Sequence, residues 1–398
     1  MGAADVKPVL ILGGGLTALG VIRTLGRAAI PTYVLASPTD LARRSRWFRP
    51  APGAASGTGA ESSLEALLDA SPIEGAVLIP CSDAWATRVV RLRPSLAERF
   101  PASLAPAGAL ETLLDKGRFA EALRSAGVPH PRTAELTGTP DLAAIPDEAF
   151  SGSFLKPRDS QLFFQHFGVK AFRVEGRAQA AERLRAANAA GLAVIFQEYI
   201  PGPASNHFFV DGFVDRQGSC AATFARRRLR MYPLDFGNSS YMVSVERDDV
   251  ADAIAIVKRL LDRLGYRGVF SAEFKFDERD RRFKILEVNA RPWWYVEFAA
   301  RCGVDVCTMA YRDAQKLPVE PAGAYRVGRA CVYPSYDFDA CRELNRRGQL
   351  SRWEWARSWL TAEQPVFRWS DPFPALADVS QVVARRFRRA MTGSSRGR

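Results

Sequence analysis

The chain has 398 residues, of which 47% are apolar, and a formal net charge of +12. This length allows two or three domains with large cores, and no apolar run is long enough to span a bilayer. Six cysteines without a C-x-x-C pair give no disulfide framework, and three histidines argue against a zinc site. The N-terminus lacks the pattern of a secretory signal, so we expect a cytoplasmic protein whose basic surface favours anionic partners.

The N-terminal part of the chain predicts a doubly wound α/β domain. PVLILGGG (8–15) predicts a buried strand that ends in a glycine-rich turn, and a helix and a second strand follow it. The turn has the spacing G-x-G-x-x-A from Gly13, which is typical of dinucleotide sites. Where a ribose-binding acid is expected the chain has Ser37, and Arg43 or Arg44 suits a 2′-phosphate. An NADP site stays open beside the interpretation that these glycines only allow close helix packing.

The next elements along the chain predict a second unit of strands and helices. A helix ends at Gly127, and SFLKPRDS (153–160) predicts a strand that carries one lysine. AVIFQEYI (193–200) predicts a buried strand, and residues 248–266 predict an amphipathic helix with its apolar side chains on one face. These elements lead into the most informative stretch of the sequence.

Two strands with a polar turn between them predict a hairpin with one acidic face. GVFSAEFKFD (268–277) alternates apolar and polar residues, and FKILEVNAR (283–291) returns after the turn. Alternation along the second strand puts Ile285, Glu287 and Asn289 on one face. The expected register sets four pairs of residues opposite each other: Asp277 and Phe283, Phe274 and Leu286, Glu273 and Glu287, and Ala272 and Val288.

Two carboxylates opposite each other on a half-buried sheet need a cation between them. At about 5 Å and an effective dielectric constant of about 20, Glu273 and Glu287 would repel by roughly 3 kcal/mol. Mg²⁺ prefers a few carboxylates together with substrate phosphates; Asn289 adds an oxygen on the same face, and Arg291 adds a positive charge for a phosphate. The residues predict a metal–phosphate site, and the alternative is a solvated face on which Lys275 screens both acids.

The order of these motifs resembles that of the ATP-grasp superfamily. E-F-K at 273–275 followed by L-E-V-N-A-R-P at 286–292 is similar to the metal-binding end of its core. Three earlier segments resemble family motifs in the family's order: Asp115-Lys116 with Gly-Val-Pro-x-Pro at 127–131, Lys156-Pro157, and Q-E-Y-I-P-G-P at 197–203. The resemblance covers roughly residues 8–320. It is strongest to predicted carboxylate–amine ligases, a group that includes D-aspartate ligase-like enzymes and ligases of cell-envelope polysaccharide clusters.

The resemblance implies an α/β fold in three parts. A Rossmann-like domain would cover residues 1–108, and a two-lobed ATP-grasp domain would cover residues 109–320, with a lid lobe at about 135–197. A small Trp- and Arg-rich extension would cover residues 321–398. Two interpretations of this extension stay open: its tryptophans pack against the core, or its basic C-terminal helix lies on an anionic membrane and brings the enzyme to a lipid-linked acceptor.

The resemblance also implies the nucleotide-binding residues. Lys116 and Lys156 would hold the α- and β-phosphates of ATP. Gln197 and Glu198 would lie at the amino edge of adenine, and Ile200 would supply a backbone and packing contact. The loop after Lys156 has one glycine where the family has several, so side chains are expected to close over the phosphates, with three candidates: Arg158, Ser160 and Lys170. The family's ribose-binding acid is also missing, which leaves Ser205, Asn206 or His207.

The metal ligands that the resemblance implies would hold two Mg²⁺ ions, and they are Glu273, Glu287 and Asn289. Arg291 would stabilise the phosphate during transfer. D-alanine-ligase-like members have an arginine two residues before the first metal acid, where this chain has Ser271. Another cation is therefore expected from ARRRLRMYP (225–233), and we choose Arg228. Lys275, within the E-F-K motif, completes the candidate catalytic set.

The activity that the resemblance implies is ATP-dependent formation of an amide bond. A carboxylate would attack the γ-phosphate of Mg-ATP to form an acyl phosphate, and an amine would then displace phosphate. Expected partners are small-molecule carboxylates and amines, acidic or linked to the cell envelope, with no nucleic acid, and a homodimer is the expected assembly. Two alternatives stay open: an NADP-dependent oxidoreductase that uses the glycine-rich turn, and a non-catalytic basic protein that binds nucleic acid or a membrane.

Overall fold

The computed structural model describes residues 6–53, 63–158, 160–169, 171–234 and 237–382 and, of residues 160 and 161, the backbone only. The strands form a three-stranded parallel sheet, a four-stranded antiparallel sheet and a six-stranded antiparallel sheet. This combination of helices and sheets confirms the predicted α/β class. No helix in these ranges is long and apolar enough to cross a membrane.

The N-terminal part folds around the parallel sheet. Its elements are β1 (Val9–Leu12), α1 (Gly15–Arg27), β2 (Thr32–Leu35), α2 (Leu64–Asp69), β3 (Val77–Pro80), α3 (Asp83–Val89), α4 (Pro94–Arg99) and α5 (Ala107–Leu114). The strands lie in the order β2-β1-β3, and every residue of β1 and β3 is buried because both faces of the sheet are covered. The carboxyl ends of β1 and β3 therefore meet at one edge, next to the start of α1 and of α3.

The four-stranded sheet forms a separate layer with its own apolar core. The elements here are α6 (Lys116–Ser125), β4 (Thr133–Leu136), β5 (Ser153–Pro157), α7 (Ser160–Phe167), β6 (Phe172–Val174), α8 (Arg177–Ala189) and β7 (Val194–Gln197). The strand order is β4-β7-β5-β6. Phe150, Phe163 and Phe196 are fully buried in this core, together with residues of α8.

The six-stranded sheet is the largest element of the fold. Its elements are β8 (His207–Val214), β9 (Cys220–Tyr232), β10 (Asn238–Ser244), α9 (Ala251–Arg263), β11 (Gly268–Asp277), β12 (Arg282–Asn289), α10 (Val296–Cys302), α11 (Val306–Ala314), β13 (Ala330–Val332), α12 (Pro334–Arg346) and α13 (Arg352–Trp359). The strand order is β12-β11-β8-β9-β10-β13. One face packs on the apolar side of α9, which leaves the other face of the β11–β12 end for polar side chains.

The register of the β11–β12 hairpin is correct at its centre and wrong nearer the turn. Glu273 pairs with Glu287, and Ala272 pairs with Val288, as predicted. Asp277 faces Arg282 instead of Phe283, and Phe274 faces Ile285 instead of Leu286. Between the turn and Leu286, the observed register differs from the predicted one by one residue. Leu286 is the extra residue of a β-bulge, which restores the predicted register from Glu287 onward. The bulge also turns Ile285 into the apolar core, so it does not share a face with Glu287 as alternation had predicted.

The N-terminal part and the large sheet meet through α1 and α10. Gly20 of α1 lies so close to α10 that an added Cβ would be 2.9 Å from Val296 Cγ1. Since α10 follows β12 after a short connection, this packing fixes the acidic hairpin beside the edge of the parallel sheet.

The part of the chain after residue 320 packs on the large sheet. β13 adds its edge strand, and α12 lies against β9 and β10. Asp337 of α12 is fully buried, and it accepts hydrogen bonds from Arg230 (2.9 and 2.7 Å) and from the indoles of Trp355 and Trp359 (2.8 Å each). The packing interpretation is confirmed for these two tryptophans. Of the predicted basic C-terminal helix, only the residues up to 382 are described, and 373–382 are helical.

Candidate active site

Two carboxylates form the centre of the candidate site, on the polar face of the β11–β12 hairpin. Glu273 Oε1 lies 2.8 Å from His207 Nδ1 and 3.1 Å from Arg228 Nη1. Burial alone would raise the pKa of Glu273, but Arg228 and the His207 hydrogen bond outweigh it and lower this pKa to about 2. Glu273 is therefore ionised and already neutralised by protein cations.

The second carboxylate is in a different electrostatic situation. Glu287 has no hydrogen-bond or ion-pair partner among the described residues, and its side chain is open to solvent. The protein atoms around it and then the Glu273 carboxylate raise its pKa, and Lys156 and Lys116 oppose this. The opposed pair thus holds an unbalanced negative charge on Glu287, which is the condition under which a cation binds.

Two lysines from other elements lie close enough to the acidic pair to act on it electrostatically. Lys116 is the first residue of α6 and donates a hydrogen bond to the Pro157 carbonyl at the end of β5 (2.7 Å). Lys156 lies on β5, where burial and then Lys116 lower its pKa, while Glu287 and Glu273 raise it. The structure therefore brings together four predicted residues, which are Lys116, Lys156, Glu273 and Glu287.

The predicted adenine-binding segment lies between the two antiparallel sheets. Glu198 accepts hydrogen bonds from Arg279 (2.7 Å) and from the backbone N–H of Arg132 (3.1 Å), and Gln197 reaches Thr133 (3.4 Å). Ile200 is buried.

The loop that follows Lys156 contains three further candidates. Arg158 forms ion pairs with Glu135 (2.8 Å) and Asp115 (3.7 Å), so its charge is already used within the protein. Lys170 and the Ser160 side chain lie outside the described residues. Two of the ribose-binding candidates already have partners within the protein. His207 is hydrogen-bonded to Glu273, and Asn206 is hydrogen-bonded to Glu278 (2.9 Å).

Lys275 occupies the same polar face one pleat further along β11. It is buried, and its Nζ lies 4.6 Å from the centre of the Tyr199 ring. Burial and the neighbouring Arg228 lower the pKa of Lys275 to about 8, although Glu273 opposes this shift. The side chain is a desolvated cation directed toward the segment that holds Glu198.

Three arginines at alternating positions of β9 form a buried row beside the acids: Arg226, Arg228 and Arg230. Arg228 was predicted from the sequence, and Arg226 was not. Arg226 binds the buried Asp211 carboxylate at 2.6 and 3.3 Å, and its Nη2 lies 3.5 Å from Ser271 Oγ. A cation from β9, which lies two strands away from β11 in the sheet, thus reaches Ser271, the position at which D-alanine-ligase-like enzymes have an arginine. The spacing R-x-R-x-R was the available signal.

Arg291 connects the hairpin with the N-terminal part. Its guanidinium binds both oxygens of Asp83 at 2.7 and 3.3 Å, and it donates to Asn289 Oδ1 at 3.0 Å. Asp83 is the first residue of α3, directly after β3. Sequence reasoning did not identify Asp83, although an acid that follows a buried parallel strand is a known site position.

The glycine-rich turn is filled by a side chain of the protein. The Asp40 carboxylate accepts hydrogen bonds from the backbone N–H groups of Gly15 and Ala42, both at 2.8 Å. A Cβ at Gly14 would lie 1.8 Å from Asp40 Oδ2. A dinucleotide phosphate would have to bind at this same helix start. Because the Asp40 carboxylate already occupies it, the position is closed to a phosphate. Arg43, the candidate 2′-phosphate ligand, stacks on Phe48 at 5.0 Å.

Comparisons with known proteins add two kinds of likeness, although no family model matches the chain. Over 245 residues the chain is 26% identical to a D-aspartate ligase of Enterococcus faecium (strain Aus0004), which covers 60% of this chain and 58% of that protein. An N5-carboxyaminoimidazole ribonucleotide synthetase, solved as an ADP complex, has a TM-score of 0.63 at 16% identity and covers 86% of this chain and 85% of that one. An L-amino acid ligase from Bacillus licheniformis has a TM-score of 0.57 at 15% identity, over 79% and 75%.

The fold is therefore that of an ATP-grasp protein. In sequence the chain is similar to a D-aspartate ligase, as the motifs predicted. It spans about 58% of the length of the curated relative that it matches.

Proposed function

We propose that this chain is an ATP-dependent carboxylate–amine ligase. A carboxylate oxygen of the first substrate attacks the γ-phosphorus of ATP, the bond to the β-phosphate oxygen breaks, and ADP leaves with an acyl phosphate formed. The amine then attacks the acyl carbon, the carbon–oxygen bond to phosphate breaks, and the amine proton leaves with phosphate or solvent. The products are an amide, ADP and phosphate.

The observation that carries this proposal is the opposed pair of Glu273 and Glu287 facing Lys116 and Lys156. Two lysines from two different elements supply positive charge where the α- and β-phosphates would lie. The two carboxylates would lie further along the triphosphate, where a bound cation would neutralise phosphate charge. Such a juxtaposition of acids and lysines is expected for metal-assisted phosphoryl transfer.

The donor set fits Mg²⁺ as the cofactor. No cluster of three or more His, Cys, Asp or Glu side chains able to hold a metal occurs in the described part of the chain, so this is not a site built from protein ligands alone. Glu273, Glu287 and the Asn289 amide oxygen would supply a few oxygens, and phosphate oxygens would supply others, as Mg²⁺ prefers. Bound there, Mg²⁺ neutralises phosphate charge; two ions remain our proposal.

The remaining cations have distinct proposed tasks. Arg228 lies against Glu273 at 3.1 Å; if Glu273 served as a metal ligand, this guanidinium would be available to bind the phosphate in transfer. Arg291, held by Asp83 at the domain junction, is placed to bind the same phosphate or the acyl substrate. Lys275 is proposed to face the nucleotide, because it is directed to Tyr199 and the Glu198 segment.

The nature of the substrates follows from the same features. The likeness to a D-aspartate ligase supports an amino acid or similar small acid as one substrate. Arg228 favours an anionic partner, because its guanidinium would become available if Glu273 served as a metal ligand. The alternative of an NADP oxidoreductase is disfavoured, since Asp40 occupies the start of α1.

Phosphate release from Mg-ATP tests the proposal. Purified protein is incubated with pools of amino acids and sugar acids, and the same assay is run on Glu287→Gln and on the surface control Glu121→Gln. We expect release only when both a carboxylate and an amine are present, with the loss confined to Glu287→Gln. ATP that neither binds nor turns over with any pool would overturn the proposal.

A further inference from the structure

The C-terminal helix (residues 373–382) turns Pro374, Ala375 and Asp378 inward and its larger apolar side chains outward. Asp378 is buried and accepts hydrogen bonds from Tyr333 Oη (2.9 Å) and Ser335 Oγ (2.5 Å). A surface helix normally turns its apolar stripe toward the core. Here the large apolar side chains face solvent, with exposed fractions of 61% for Phe373, 64% for Leu376 and 59% for Val379.

Polar contacts fix this orientation at both ends of the segment. Just before the helix, the buried Asp371 accepts hydrogen bonds from Arg23 Nε (2.9 Å) and Ser45 Oγ (2.6 Å). At the other end, Gln381 Nε2 donates to the Thr39 carbonyl (3.1 Å). The inner face is therefore held against the N-terminal part, and the outward direction of the apolar face is a built feature.

Phe373, Leu376 and Val379 form a single row, which we call the C-terminal apolar stripe. Their spacing of three residues puts them on one face of the helix. Trp369, directly before the helix, is 90% exposed. In sequence, Val383 and Phe387 follow at steps of four residues, beyond the described part of the chain.

The charge next to the C-terminal apolar stripe is strongly positive. Residues 383–398 contain six arginines and no acidic residue, and the whole chain carries +12. An apolar helix face with Trp and Phe, followed by clustered arginines, is the composition of helices that lie in the interface of an anionic bilayer. The apolar side chains enter the acyl boundary, and the arginines bind anionic headgroups.

We propose that the C-terminal apolar stripe docks the protein onto the surface of an anionic lipid bilayer. This partner fits better than two others. A second copy of the chain would bring two arginine clusters together, and like charges repel. A single-stranded nucleic acid would stack on aromatic rings, but Leu376 and Val379 offer no such surface. The proposal does not depend on the proposed ligase activity.

Vesicle flotation tests this proposal with the full-length protein. Phosphatidylcholine vesicles with and without phosphatidylglycerol are mixed with wild type, with the triple variant Phe373→Ser, Leu376→Ser and Val379→Ser, and with the control Leu360→Ser. Leu360 is 81% exposed but lies outside the stripe. We expect wild type and control to float with the anionic vesicles and to be released by salt. The triple variant should lose binding by about tenfold or more, because it removes the apolar side chains that leave water on binding.

Three results would overturn the proposal. They are no flotation of wild type with anionic vesicles, equal flotation of wild type and the triple variant, or a wild-type dimer in solution that the triple variant breaks while vesicles bind neither. Near-ultraviolet circular dichroism of each variant confirms that it is folded. Because the stripe variants keep every residue of the candidate active site, their ATP-dependent phosphate release is measured in parallel as a separate result.

Discussion

Two regions of this chain have sequences suited to a nucleotide, and in the structure they differ in the charged side chains that surround them. At the glycine-rich turn, Asp40 accepts hydrogen bonds from the helix start and leaves a fixed negative charge there. At the β11–β12 hairpin, Glu287 lacks a described partner, and Lys156 and Lys116 act on it electrostatically. The acid at the first place repels a phosphate, whereas at the second place two lysines supply positive charge for a phosphate and Glu287 supplies negative charge for a cation.

The difference shows that a backbone motif defines a site only together with the charges that reach it from elsewhere. Glycines allow an anion to approach a helix start, but they do not prevent an acid of the same chain from taking that position. The hairpin has no glycine signature, and its character comes from side chains on four elements: β5, β11, β12 and α6.

The largest expected effect is on turnover at the hairpin. Glu287→Gln should lower phosphate release by about 10³-fold or more, because it removes the carboxylate that we propose to bind Mg²⁺. Steady-state phosphate release measures this. The exposed Glu121→Gln on α6 serves as the matched control and should keep wild-type rates, since its ion pair with Arg124 lies on the surface.

Replacing either of the two opposed carboxylates should change the free energy of unfolding, and the two changes should have opposite signs. Glu273 has a folded-state pKa of about 2 against 4.5 when unfolded, so its contribution is present above pH 4.5 and is lost as pH falls toward 2. Glu273→Gln should therefore lower the free energy of unfolding by roughly 3 kcal/mol at neutral pH. The deficit should close with acidification in urea titrations.

Glu287→Gln should have the opposite sign, because the folded-state pKa of Glu287 is raised. An ionised Glu287 weakens the folded state at neutral pH, so its removal should increase the free energy of unfolding in the same titrations. Equal destabilisation by both variants would contradict the described electrostatics.

Lys275 gives a smaller effect with its own pH range. The unfolded side chain keeps its proton up to about pH 10.5, but the folded one only up to about pH 8. Its penalty is full below pH 8 and disappears as pH rises toward 10.5. Lys275→Met should raise the free energy of unfolding at neutral pH by about 1–3 kcal/mol, with no gain in strong alkali. A gain independent of pH would point to packing instead.

The smallest effect is expected at the turn. Asp40→Asn removes the charged acceptor of two backbone N–H groups and should lower the free energy of unfolding by about 1 kcal/mol. Calorimetric melting measures this. Phosphate release should stay at the wild-type rate; a loss as large as that of Glu287→Gln would show that the turn takes part in the reaction.

Alternation and resemblance were sufficient for much of the hairpin and for the fold. The pairing of Glu273 with Glu287 followed from strand periodicity, because the core side of β11 is unbroken. The bulge at Leu286 did not follow, since one extra residue is a local backbone choice that no periodicity records. The Glu273–Glu287 pair was predicted correctly because the one-residue error near the turn is compensated by the extra residue at the bulge.

The contacts that connect distant segments could not be predicted. Asp83 and Arg291 are 208 positions apart, and Asp40 reaches a helix start 25 positions earlier. The local sequence around Asp83 or Asp40 does not indicate which residue each acid contacts, because these contacts depend on how α1, α3 and β12 pack. Arg226 was closer to prediction, since its row on β9 alternates visibly, but its partner Asp211 lies on another strand.

Calorimetric titration of wild type, Glu287→Gln and Asp40→Asn with ATP in the presence and absence of Mg²⁺, and with NADPH, tests the central claim most directly. We expect wild type and Asp40→Asn to bind ATP in a Mg²⁺-dependent manner, Glu287→Gln to lose that dependence, and none of the three to bind NADPH. Binding of NADPH by wild type, or ATP binding that ignores both Mg²⁺ and Glu287, would contradict the assignment of the nucleotide site to the hairpin.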